Sequence, residues 1–171
     1  LRDAKFAEAE QAFRTAIREA ESAQARDSTH AQSLHGLGTT LLRMGKYSDA
    51  ELPFKQSLEL YEAVEGLESI NVAAVLSQFA ALRFAQGRSV EAQPLKAREM
   101  TIVLKQAIAR KEQKLGVDHP EVITNCVQLA ILYTSQGRYT EAEQFYKHVL
   151  AVVERKHGPN HPKVASACNH L

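Results

Sequence analysis

A glycine-centred turn recurs along this 171-residue chain at nearly constant spacing, and that recurrence restricts the fold more than any other property of the sequence. Gln136-Gly137-Arg138-Tyr139-Thr140-Glu141-Ala142-Glu143 has near copies in Met44-Gly45-Lys46-Tyr47-Ser48-Asp49-Ala50-Glu51 and Gln86-Gly87-Arg88-Ser89-Val90-Glu91-Ala92-Gln93. A copy without the glycine, Lys5-Phe6-Ala7-Glu8-Ala9-Glu10, stands near the start. Gly45 to Gly87 is 42 residues, Gly87 to Gly137 is 50, Phe6 to Tyr47 is 41, and His119-Pro120 returns 42 residues later as His161-Pro162. Around Gly137 apolar residues fall at helical spacing on both sides, Val122, Cys126, Leu129, Ala130 and Tyr133 before it and Ala142, Phe145, Tyr146, Val149 and Leu150 after it. Each copy therefore predicts a helical hairpin. Hairpins repeated at about 34–47 residues stack into a solenoid, because one hairpin alone cannot bury its apolar face.

Small and large residues recur in a fixed order within each copy. Leu34, Leu76 and Cys126 are followed by Leu37, Phe79 and Leu129, then by Gly38, Ala80 and Ala130, and an alanine follows the turn at Ala9, Ala50, Ala92 and Ala142. This order resembles the tetratricopeptide repeat, whose pattern is W-x2-L-G-x2-Y followed by A-x3-F. The 42-residue period and the linkers Leu115 to Val122 and His157 to Val164 are similar, more narrowly, to the kinesin light chain type. The resemblance covers nearly the whole chain. It implies an all-α protein, a right-handed alpha-alpha superhelix of antiparallel helix pairs, whose first helices line a concave groove.

Taken in order, residues 1–26 read as the second helix of a partial repeat, with Phe6, Ala9, Phe13, Ala16 and Ile17 on one face. Residues 27–66 form a repeat that opens on the capping residues Asp27-Ser28-Thr29 and ends at Gly66. Residues 67–116 form a second repeat and 117–158 a third, and 159–171 begin another, its helix running from Pro162 to Leu171. The second repeat is about eight residues too long. Counted from Gly87, its core slots fall on Lys96 and Glu99; counted back from Gly116, they fall on Leu104 and Ala107, which places an insertion between Pro94 and Leu104. Eight residues add about two turns to a helix. A missing initiator methionine and a half-repeat at each end read as a single tetratricopeptide domain cut from a longer array. Phe6, Phe13 and Ile17 at one end, and Cys168 and Leu171 at the other, are expected to let copies associate through exposed terminal helices.

Composition narrows the functional classes. With 44% apolar residues and a net charge of +1, the chain suits a cytoplasmic domain and not a strongly basic nucleic-acid binder. No apolar run is long enough to span a membrane. Cys126 and Cys168 occupy equivalent positions of neighbouring repeats, about 8–10 Å apart by helix packing, and read as core residues of a reducing compartment rather than a disulfide. No metal, cofactor or catalytic site emerges. Gly158-Pro159 breaks the helix between His157 and His161, so these two share no face for a metal ion; His119 and His161 precede prolines that start helices; and His148 beside Lys147 reads as a solvated face. Lys105, Arg110, Lys111 and Lys114 are interrupted by Glu112 and lack stacking aromatics, which makes them an outer face rather than a nucleic-acid site. The chain is not expected to be an enzyme.

Charge placement points to the first helices instead. No Asp, Glu, Lys or Arg lies between Ala31 and Leu42, between Ser69 and Leu82, or between Val122 and Gly137. In the resembled fold, residues off the core stripe face a ligand: His35, Thr39, Leu42 and Arg43, then Ser77, Gln78, Ala81 and Phe84, then Val127, Gln128, Ile131 and Thr134, with Asn169 and His170 beyond. Leu42, Phe84, Val127 and Ile131 could equally pack between repeats, but as a set they favour a groove. Phe84 is expected at its centre, flanked by Arg43 and Arg83. The Lys/Asn/Arg clamp with which some members hold a terminal carboxylate is missing, since those positions read His35, Thr39, Gln78, Thr124 and Gln128. The expectation is a scaffold or adaptor module that binds a protein or peptide segment carrying its own apolar anchors. The alternative is a structural spacer that associates through its ends.

Overall fold

The computed structural model describes residues 2–158. Among them are seven α-helices and no strand: α1 Arg2–Ser22, α2 Ser28–Arg43, α3 Tyr47–Glu65, α4 Ile70–Ala85, α5 Ser89–Leu115, α6 Pro120–Ser135 and α7 Tyr139–His157. The helix expected from Pro162, with Cys168, Asn169, His170 and Leu171, lies outside the described residues. The chain divides into two compact units, Leu1–Ile102 and Val103–Leu171, and the division falls within α5. That helix has 27 residues against 19 in each of α3 and α7.

Helix starts and stops follow local chemistry. The Asp27 carboxylate accepts from the His30 amide at 2.9 Å, the Ser69 hydroxyl from the Asn71 amide at 3.0 Å, and the His119 imidazole from the Glu121 amide at 3.2 Å with Pro120 behind it. At the turns within hairpins, Gly87 and Gly137 have φ of 73° and 72°. The next amide then folds back to a carbonyl five residues earlier, Arg88 to Arg83 at 2.8 Å and Arg138 to Tyr133 at 2.9 Å, which closes the helix end.

In the first unit α2 is the central element. Its Leu34, Leu37 and Leu41 meet Phe54 and Tyr61 of α3 and Val72, Leu76 and Phe79 of α4 in one core, which Ile102 of α5 joins. Close approach explains the small residues. A Cβ on Gly38 would stand 2.9 Å from the Phe54 ring, and one on Gly36 would stand 2.4 Å from the Phe13 ring. Phe54 in turn stacks on Phe79 with ring centres 6.0 Å apart. The contact at Gly36 alters one expectation: Phe13 and Ile17 are not left without partners, because they pack on α2. In the second unit Ile108 of α5, Val122, Cys126, Leu129 and Tyr133 of α6, and Ala142, Tyr146 and Val149 of α7 form a separate core. Burial, with Glu112 nearby, pushes the Cys126 thiol up to about 11, so it is an un-ionised core group at neutral pH.

A candidate partner-binding groove

Helical periodicity puts His35, Thr39 and Arg43, spaced by four, on one face of α2, turned away from Leu34, Leu37 and Leu41. There they line a cavity of about 710 Å³ between α1 and α2, whose opposite wall is Lys5, Phe6, Ala9 and Phe13 of α1. The α2 side adds Gln32 and Ser33, and no carboxylate lines the space. It thus offers an apolar wall, uncharged hydrogen-bonding groups and two cations. His35 is half-buried with its ring 6.1 Å from that of Phe54, and its Nε2 has no protein partner. Burial lowers its pKa below the ordinary histidine value, which keeps the ring neutral at physiological pH. The α1 residues of this wall escaped sequence reasoning, which took Phe6 and Phe13 for an exposed end; Ala9 and Phe13, an A-x3-F pair, were the available signal.

The α4 residues are a separate part of the first unit's surface. Ser77 and Gln78 are half-buried, whereas Ala81 and Phe84 are exposed, Phe84 to 46%. None of the four lines the α1–α2 cavity. Leu42 is half-buried against the core. Arg83 does not flank Phe84 in solvent. Its buried guanidinium bonds both oxygens of Glu51, at 2.7 and 2.9 Å, reaches Gln86 at 3.0 Å, and lies 4.7 Å from the centre of the Phe79 ring. Arg83, and then Lys55, holds the Glu51 carboxyl far below the ordinary carboxylate range.

In the second unit Gln128, Ile131 and Thr134 of α6 are exposed, Ile131 to 52%, while Val127 is half-buried on the core. Thr134 and Thr124 donate their hydroxyls to the carbonyls of Ala130 and Pro120 in their own helix, each at 2.9 Å. His148 is not on a solvated face: it is half-buried, and its Nε2 lacks a protein partner. Asn169 lies outside the described residues. Among those described, no group of three or more His, Cys, Asp or Glu side chains is arranged to hold a metal ion, and no helix is long and apolar enough to cross a membrane.

Two family models, both described as tetratricopeptide repeat, match this chain over residues 1–63 and 126–163. The clustered mitochondria protein homologs of Aspergillus oryzae and Aspergillus terreus are each 28% identical to it over 147 residues. The match takes in 86% of this chain, which spans 11% of the length of each relative. Among solved structures, the nearly identical TPR-like repeats of a Podosopora anserina putative kinesin light chain are similar, at 18% identity and a TM-score of 0.45, with 99% of this chain and 77% of that one covered.

Proposed function

Because this chain belongs to the tetratricopeptide-repeat family, all-α solenoids whose repeats mediate protein–protein interaction, we propose that it is a non-catalytic binding module that takes a partner segment on the first helices of its hairpins. The observation that carries this reading is the make-up of the α1–α2 cavity, with Phe6 and Phe13 on one wall, His35, Thr39 and Gln32 on the other, and Lys5 and Arg43 as its only charged lining residues. An apolar wall suits an apolar anchor, uncharged side chains suit the backbone of an extended or helical segment, and two cations without a carboxylate suit an acidic flank. Phe84 supplies a second apolar contact on α4. Its exposed ring is the kind of group that dominates binding energy once covered.

The test is a pull-down from cell extract with this chain as bait, with the recovered partner then titrated against variants. Arg43→Glu and Phe84→Ala should each weaken binding by about tenfold, or roughly 1.4 kcal/mol, without loss of helicity. Unchanged affinity in both variants would remove this face from consideration.

A further inference from the structure

Successive hairpins, in register at 41–42 residues, differ in their charge networks. Between α3 and α5, three acids hold two arginines. Arg83 bonds Glu51 and lies 3.6 Å from Glu91, and Arg98 pairs with Glu62 at 2.5 Å. One repeat earlier, between α1 and α3, the acids remain: Glu10, Asp49 and Glu21 stand where Glu51, Glu91 and Glu62 stand in the next copy. The arginines do not. Leu41 replaces Arg83, and Gln56 replaces Arg98. The other cations are kept, since Arg14 and Lys46 hold Glu10 at 2.9 and 2.8 Å as Lys55 and Arg88 hold Glu51 at 2.7 and 3.4 Å. Where the two arginines would lie, the first interval has an open groove of about 620 Å³, floored by Leu34, Leu37 and Leu41 and rimmed by Asp49, Glu21 and Gln56 together with Arg14 and Arg18. Among the described residues neither Asp49 nor Glu21 forms an ion pair.

We propose that this groove receives arginine side chains from a protein partner, one guanidinium over Leu41 against Asp49 and a second against Glu21. The neighbouring repeat shows what such a surface holds when the residue is supplied in cis. Arg83 is gripped by two bonds to one carboxylate while its flat face covers Phe79, the counterpart of Leu37. A planar, weakly hydrated guanidinium meets both demands, and the compact ammonium of lysine meets neither. Two rim residues carry the ligand's own sign, Arg14, which is paired with Glu10 at 2.9 Å, and Arg18. Arg18 stands where α3 has Glu59, and it lines the groove with its Nε donating to the Arg14 carbonyl at 3.3 Å. The groove lies on the face of α2 opposite His35, Thr39 and Arg43, so its occupant is independent of the segment proposed above.

The probe is a series of alanine peptides carrying two arginines at varied spacing, with citrulline peptides as neutral isosteres, titrated into the whole chain by fluorescence anisotropy and followed by amide NMR. At least one arginine spacing should bind more than about tenfold tighter than its citrulline control, with shifts centred on Leu41, Asp49 and Leu52. Asp49→Asn combined with Glu21→Gln, both at exposed side chains, should lower that affinity about tenfold, and Arg18→Glu should raise it. Leu41→Arg, which writes the next repeat's residue into this one, should block the site from within. If this variant fails to fold, the carboxamide variants still decide. Equal binding of citrulline peptides, no effect of the double variant, or a concentration-dependent dimer lost on Asp49→Asn would overturn the proposal, the last by assigning the groove to a second copy of the chain.

Discussion

Arg83 shows how far a single residue can depart from what its neighbours in sequence suggest. It follows a stretch without acids or bases and precedes an exposed phenylalanine, yet its partner is Glu51, 32 positions away. No local pattern reveals that pairing; only the slot four residues before each turn glycine, filled by Leu41, Arg83 and Tyr133, marks the position as buried. Glu51→Gln should destabilise the fold by about 2 kcal/mol in urea unfolding, because it leaves a buried guanidinium without its main counter-charge. Adding Arg83→Leu should recover most of that loss. The pH dependence has a definite sign. Glu51 has a folded pKa below its ordinary 4.5, so its contribution is complete above that value and is lost as the pH falls toward the folded one. His35 acts in the same direction at higher pH: its folded pKa lies below the ordinary 6.5, so the unfolded chain binds the proton first and stability declines as the pH drops through 6.5. Lys5 and Arg43 share its cavity, and no carboxylate there offsets the added charge. His35→Asn should flatten the unfolding midpoint between neutral pH and that window, and an unchanged slope would show that burial of the imidazole is not what sets it.

Among the elements, helices were legible because each carries a cap, an apolar stripe and a terminating glycine, signals that lie within a few residues of one another. The surface was less so. Leu42, Phe84, Val127 and Ile131 look alike in sequence, and tertiary packing alone separates the half-buried pair Leu42 and Val127 from the exposed pair Phe84 and Ile131. Phe79 and Phe84, both on α4, turn that distinction into a measurement. Phe79→Ala, which removes the ring between Phe54 and Arg83, should cost about 3–5 kcal/mol, whereas Phe84→Ala should leave stability nearly unchanged. Equal costs would mean that Phe84 belongs to the core. The turns between hairpins are a second test. Gly66 has φ 89° and ψ 164°, a region closed to residues with a Cβ, so Gly66→Ala should destabilise by about 1–3 kcal/mol although nothing lies within 4 Å of the added atom. In α5 two registers compete, and the packing explains the conflict. Leu95 and Ile102 join the core of the first unit and Leu104 and Ile108 that of the second, while Lys96 and Glu99, between Leu95 and Ile102 in sequence, form an ion pair.

For the molecule as a whole, two separate apolar cores within one chain raise the question of whether they melt together. Repeat proteins are stabilised by each repeat and by its contacts with its nearest neighbours, so damage in one hairpin need not spread along the array. Cys126 can report on this. It is buried in the second core with its thiol un-ionised at neutral pH, so it reacts with a thiol reagent only when that core opens. In a Cys168→Ser chain it is the one remaining thiol. Under native conditions its labelling rate measures the opening free energy of the second core, provided that closing outpaces reaction. Val149→Ala removes methyl groups from that core without touching α6, and at about 2 kcal/mol it should speed labelling roughly thirtyfold. Phe54→Ala empties the centre of the first core at a cost of about 3–5 kcal/mol and, where the cores open independently, should change the Cys126 rate by far less than Val149→Ala does. The larger substitution thus gives the smaller effect, an ordering that one cooperative unit cannot produce. If Phe54→Ala instead speeds labelling in proportion to its full cost, α5 transmits the loss and the chain unfolds as a single body.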